Sequence, residues 1–198
     1  MLIKEDYLQL ISSQRTDEVV ITTMGMAVPW AKISTHPLDF ASVGSAMGHA
    51  ADLALGIAIA KPDRKIIILN GDGSMLMCLG TLATITGLSK LPSNFLLFVC
   101  DNGSYEVTGN QPVPRSSNFN WTLIAKGTGI QQVHEYDEIN TFETDLSQIL
   151  KKPGPTFVNL QTERANEPPP DRWGSFKYTY LQESLATSAH KLRKELTQ

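Results

Sequence analysis

Apolar positions along this chain fall into two kinds of run, and their alternation predicts the fold. Ile66-Ile67-Ile68-Leu69, Phe95-Leu96-Leu97-Phe98-Val99 and Thr156-Phe157-Val158-Asn159-Leu160-Gln161 are short and rich in strand-forming residues, as is Glu18 to Thr23. Such unbroken runs suit strands covered on both faces. Between them lie stretches of helical spacing. Residues 45 to 60 are Ala-rich and apolar on most sides, with an end set by Lys61-Pro62-Asp63, and residues 75 to 89 place Leu76, Leu79, Leu82, Ala83 and Ile85 near one face. Shorter helices are predicted over residues 2 to 13, 121 to 126 and 141 to 150, the last capped by polar residues around Asp137. A turn with a short helix follows at 24 to 30, and short strands at 38 to 43 and 130 to 134. Strands alternating with helices predict an α/β fold, a three-layer α/β/α domain on a mainly parallel sheet.

Residues 1 to 165 read as that domain and 166 to 198 as a C-terminal tail. The tail holds a stiff Glu167-Pro168-Pro169-Pro170-Asp171 segment and a polar helix from Gln182 to Leu196, which either packs on a partner or stays solvated. The stretch from Gly103 to Asn120, rich in Gly, Pro, Ser and Asn, is long for a connection, and such loops are functional or disordered.

Composition narrows the function classes. With 198 residues, 41% hydrophobic and 19% charged, the chain can bury a sizeable core. A net charge of −3 gives no support for nucleic-acid binding. Two cysteines do not make a disulfide scaffold; Cys78 and Cys100 read as small buried hydrophobes. Charges among the first residues, and the lack of a long apolar run, predict a cytoplasmic chain with no membrane span.

The chemistry gathers at two strand ends. The 66 to 69 run delivers Gly71-Asp72-Gly73-Ser74, and the 95 to 99 run delivers Asp101-Asn102-Gly103-Ser104-Tyr105-Glu106. A right-handed crossover between parallel strands puts both ends on one sheet edge, so Asp72 and Asn102 can meet although 30 residues separate them. Asp72 alone reads as a turn residue; paired with Asn102 it reads as a metal ligand. A carboxylate, an amide oxygen and the Ser104 backbone carbonyl are hard donors of the kind Mg²⁺ takes, two diphosphate oxygens and a water completing its octahedron. Gly71 and Gly73 would allow a tight turn and close approach of helix-opening amides to a diphosphate.

These motifs resemble the signature of thiamine-diphosphate enzymes, in the half that holds the cofactor's diphosphate. The likeness extends to Val43-Gly44-Ser45-Ala46-Met47-Gly48-His49-Ala50, Leu55-Gly56-Ile57-Ala58, Lys61-Pro62-Asp63-Arg64-Lys65 and Thr108-Gly109-Asn110-Gln111-Pro112, which are similar to the corresponding segments of sulfopyruvate and phosphonopyruvate decarboxylases, as in a beta-type subunit. It covers residues 1 to 165. One departure is Asp101-Asn102 where the family usually has Asn-Asn; its metal-binding residue is the second, so Asn102 keeps the role.

The resemblance implies thiamine diphosphate and Mg²⁺ as cofactors, with Asp72, Asn102 and Ser104 on the metal. Gly44, Ser45, Met47, Gly71, Gly73, Ser74, Tyr105 and Glu106 join them around the cofactor. It gives Met47 the role of a wedge beneath the cofactor; spacing alone reads Met47 as ordinary core. His49 reads equally as a proton donor or as a core hydrogen-bonding group. In this family the cofactor's amino group is activated by a glutamate of a second, pyrimidine-binding domain, which nothing in this chain matches. The resemblance therefore implies a separate alpha-type, pyrimidine-domain subunit, a hetero-oligomer, and the decarboxylation of a small 2-oxo acid. The apolar helices at 45 to 60 and 75 to 89 would meet the partner, and Arg115 and Lys126 are candidates for an anionic head group. A carboligase half of the same cofactor class and a non-catalytic structural paralogue are the alternatives. A nucleotide binder is disfavoured: no phosphate-binding G-x-x-x-x-G-K-[ST] segment occurs.

Overall fold

A computed structural model describes residues 1–44, 46–164 and 179–197. Six parallel strands form one sheet in the order β2-β1-β3-β4-β8-β7. They are β1 (Val19–Thr22), β2 (Asp39–Ala41), β3 (Ile66–Gly71), β4 (Phe95–Asp101), β7 (Gln132–Tyr136) and β8 (Thr156–Gln161). Their side chains alternate between two cores. Val19, Ile21, Ile66, Ile68, Leu97 and Phe157 face one, with α3 (Ala50–Ala60), α5 (Gly80–Thr86) and α6 (Trp121–Gly127). Val20, Ile67, Leu69, Leu96, Phe98 and Val158 face the other, with α1 (Lys4–Gln14), α2 (Met24–Ala31) and α7 (Ile139–Lys151). Burial on both faces is why these strands carry no polar alternation. The chain is the three-layer α/β/α fold its sequence predicts.

Several elements depart from the sequence reading. The helix expected over 45 to 60 begins at Ala50, because Gly44 and Gly48 take left-handed backbone angles (φ +72° and +85°) that no helix accommodates. The helix expected over 75 to 89 is two: α4 (Asp72–Met77) opens earlier, and α5 follows a break at Cys78. A Cβ on Gly48 would lie 2.7 Å from the Ser74 carbonyl oxygen and 3.1 Å from Met77, so the backbone at Gly48 presses on α4 where it ends. Strand β7 starts two residues late, since Ile130 closes the end of α6 through its N–H to the Ala125 carbonyl (3.2 Å). No side chain caps α7, whose N-cap is Glu138. The long connection after β4 holds a small antiparallel pair, β5 (Ser104–Tyr105) with β6 (Gln111–Pro112), around a 3₁₀ turn at Glu106–Thr108.

Both ends of the chain return to the sheet. Leu2 forms a parallel bridge with Thr162: its N–H donates to the Gln161 carbonyl (2.7 Å) and its own carbonyl accepts from Glu163 N–H (2.8 Å). The tail helix is α8 (Thr179–Gln182) followed by α9 (Leu185–Leu196), and α9 lies against β2 with Leu192 buried among Phe40, Leu55 and their neighbours. Leu192 and Leu196 are thus packed within this chain, while Leu185 is exposed. The Glu167 to Asp171 segment lies outside the described residues. Among the described residues no helix is long and apolar enough to cross a membrane.

Candidate functional site

The strand order positions the site. From β1 the chain moves outward to β2, then returns through α3 to β3 on the other side of β1, so neighbouring connections diverge and leave a crevice at the carboxyl ends of the strands. A cleft opens there. It is lined by Thr23 to Met26 after β1, by Gly71 to Ser74 and Met77 after β3, and by Asn102 and Ser104 to Thr108 after β4, with Lys4 and Met47 at its borders.

Asp72 and Asn102 meet as the topology requires. The Asp72 side chain is 1% exposed; its Oδ1 accepts from Gly73 N–H and its Oδ2 from Gly103 N–H, both at 2.8 Å. The second bond ties the loop after β4 to the loop after β3. Burial pushes the Asp72 carboxyl up to about 7, with Asp101 adding to the rise; the two backbone bonds and Arg115 pull the other way. The carboxylate is thus short of positive charge. Asn102 Oδ1 accepts from Ser104 N–H at 2.9 Å, while its Nδ2 donates to Glu106 Oε1 at 2.7 Å. The Ser104 hydroxyl is bonded to Asn110 Oδ1 at 2.9 Å. A buried, undercompensated carboxylate beside an amide oxygen on one cleft is a donor set that fits a hard divalent cation.

The glycines do other work than expected. Gly71 has an extended backbone (φ −90°, ψ 153°) with no positive φ, and its added Cβ would meet only the Ser74 hydroxyl, at 4.0 Å. At Gly73 a Cβ would lie 2.3 Å from the Tyr105 ring, so the residue is small to let that ring lie across the opening of α4. Gly44 is set back from the cleft lining, with open space where its Cβ would be. Ser45 lies outside the described residues. Ser74 lines the cleft.

Met47 and His49 are not core. Met47 is 56% exposed, on a turn ahead of α3, and borders the cleft. His49 lies beside it, half exposed, in a smaller depression shared with Thr23, Met24 and Ser74. Its Nδ1 is paired with Asp52 Oδ2, and Asp52 Oδ1 takes the Thr81 hydroxyl. Cys78, expected buried, is partly exposed nearby, while Cys100 is buried.

Of the two candidate anion anchors, Arg115 is committed to Asp101, with Asp72 Oδ2 at 3.8 Å, and Lys126 is exposed on α6 outside the cleft lining. Sequence reasoning missed Lys4, which is 7% exposed and forms an ion pair with Glu106. No local pattern could have found it, since the partners are 102 residues apart.

Comparison with known proteins gives the family. Residues 23–160 match the family described as thiamine pyrophosphate enzyme, C-terminal TPP binding domain. The sulfopyruvate decarboxylase subunit beta of Methanocaldococcus jannaschii is 30% identical over 160 residues, 80% of this chain and 82% of that protein. The phosphonopyruvate decarboxylase of Streptomyces viridochromogenes is 33% identical over 77% of this chain, which spans only 37% of that longer protein. The solved thiamine diphosphate-dependent 4-hydroxybenzoylformate decarboxylase of Rhodococcus jostii superposes with a TM-score of 0.67 at 20% identity, covering 84% of this chain and 33% of that one, which speaks to fold alone. The chain belongs to the thiamine pyrophosphate enzymes, as a diphosphate-binding domain of their decarboxylase relatives.

Proposed function

We propose that this chain is the diphosphate-binding subunit of a heteromeric thiamine-diphosphate-dependent 2-oxo acid decarboxylase, completed by a separate pyrimidine-domain subunit. The observation that carries the reading is the Asp72–Asn102 pair at one cleft, joined through the Gly103 N–H. Asp72, the Asn102 amide oxygen and the Ser104 carbonyl would hold Mg²⁺, with Gly71, Gly73 and Ser74 beside the diphosphate. Tyr105 would close over the opening of α4, and Met47 would support the cofactor at the mouth. When bound, thiamine diphosphate supplies an electron sink for loss of carbon dioxide from a 2-oxo acid. His49, its Nδ1 held by Asp52, would deliver a proton from Nε2 at the open side of the cleft.

The beta-subunit relative is matched over most of its length and the phosphonopyruvate enzyme over about a third, which supports a division of the active site between two polypeptides. A 2-oxo acid bearing a sulfonate or phosphonate is the substrate class we favour. Lys4 is the only cation lining the cleft among the described residues, and it is already paired with Glu106, so the head group's counter-charge would come from the partner. Calorimetry of the chain with its partner should detect thiamine diphosphate binding that requires Mg²⁺; absence of binding would favour a structural paralogue. Product analysis with a 2-oxo acid, plus and minus an aldehyde, separates decarboxylation from carboligation.

A further inference from the structure

We propose that Lys4 is a positioning residue for the cation site, acting through Glu106 to fix which end of the Asn102 amide faces the metal. The inference rests on the Mg-diphosphate reading above. A primary amide has two nearly isosteric ends, one accepting and one donating, and only the oxygen can bind a cation. An ionised carboxylate accepts and does not donate, so Glu106 Oε1 can be bonded only by the Asn102 NH₂ end, at 2.7 Å. That bond acts with the Ser104 N–H, which donates to Asn102 Oδ1 at 2.9 Å, so the two ends of the amide are held by opposite partners. A flipped amide would present N–H groups to the metal and repel it.

Glu106 needs an anchor to do this, and Lys4 is that anchor. Its ammonium is paired with Glu106 Oε2, leaving Oε1 for Asn102. Lysine is rarely this buried, and a buried ion pair contributes little net stability after desolvation, so stability alone does not account for it. The backbone is arranged to deliver it: the Leu2 bridge to Thr162 fixes the segment two residues before Lys4 against the carboxyl end of β8. Lys4 also lies ahead of residues 23–160, so the device is carried by a segment outside the matched domain.

The test uses the full chain with its partner subunit, titrating magnesium chloride at fixed thiamine diphosphate by calorimetry and following thermal unfolding in parallel. Lys4→Met should raise the Mg²⁺ Kd about tenfold, the scale of an outer-shell partner's loss, and Lys4→Arg should restore most of the affinity. The double variant Lys4→Met/Glu106→Leu replaces the buried pair by apolar groups; it should unfold at or above the wild-type temperature yet keep the weakened Mg²⁺ binding. Wild-type Mg²⁺ affinity in Lys4→Met or in the double variant, with only a changed melting temperature, would overturn the positioning role. No Mg²⁺-dependent binding by the wild type would instead overturn the cofactor reading itself.

Discussion

The two sides of the cleft are built differently. On the side of the loops after β3 and β4, Asp72 and Lys4 are buried, Asn102 and Glu106 are partly buried, and each is bonded to another group of this chain. Around the mouth the surface is open and partly apolar: Met47 is 56% and Met77 45% exposed, and half-exposed His49 stands beside them. On α3, Leu53 at 39% and Ile59 at 57% are exposed as well. Large exposed apolar side chains in a group mark a surface that another molecule covers. On the function proposed above, the diphosphate end would be self-contained and the reacting end half a site.

That contrast can be broken from either side. Asp72→Ala, on the closed side, has the largest expected effect: Mg²⁺-dependent thiamine diphosphate binding should fall about 100-fold or more. The metal-free protein should lose little stability, because a carboxylate raised to about 7 by burial is costly to keep ionised. Unchanged cofactor affinity would refute the metal assignment. On the open side, Met77→Asp or Ile59→Asp should abolish co-purification with the partner while leaving the circular dichroism spectrum and melting temperature of the isolated chain in place. Retained assembly with both variants would move the interface elsewhere.

His49→Asn probes the boundary between the two sides. Turnover should fall about 100-fold, the scale of a lost general acid, with cofactor Kd changed little. A matching loss in both would make His49 a structural residue.

The smallest effect lies remote from the cleft. His36 Nδ1 accepts from Leu38 N–H and lies 3.2 Å from Arg15 Nη2, so the ring is held neutral; burial, then the Arg15 charge, lowers its pKa from 6.5. The unfolded chain takes up the proton first as pH falls. Its contribution to stability is thus full above 6.5 and is lost as pH drops through the lowered folded value. His36→Asn should flatten that acid limb of the melting curve without touching cofactor binding.

The sheet and the meeting of Asp72 with Asn102 at one cleft were legible because each has a local signature: unbroken β-branched runs for strands buried on both faces, and two polar turns that parallel winding must bring together. The start of α3 was not, since Ala-rich composition extends back to residue 45 while the backbone angles of Gly44 and Gly48 forbid a helix there. The need for Gly73 was read as room for a ligand, whereas the Tyr105 ring occupies that space. Lys4 was invisible for a different reason. In an amphipathic helix a lysine reads as solvent-facing, and only tertiary contact with Glu106 makes it part of the site.

The stitch between Leu2 and Thr162 has a practical corollary for anyone preparing the protein. Met1 projects outward at 73% exposure while Leu2 is 1% exposed, so an affinity tag fused ahead of Met1 would begin one residue from the backbone seam that leads to Lys4. A purification handle placed after α9 leaves that seam untouched, and comparing the two formats would show how tightly the first residues must be sewn down for the pocket to hold its shape.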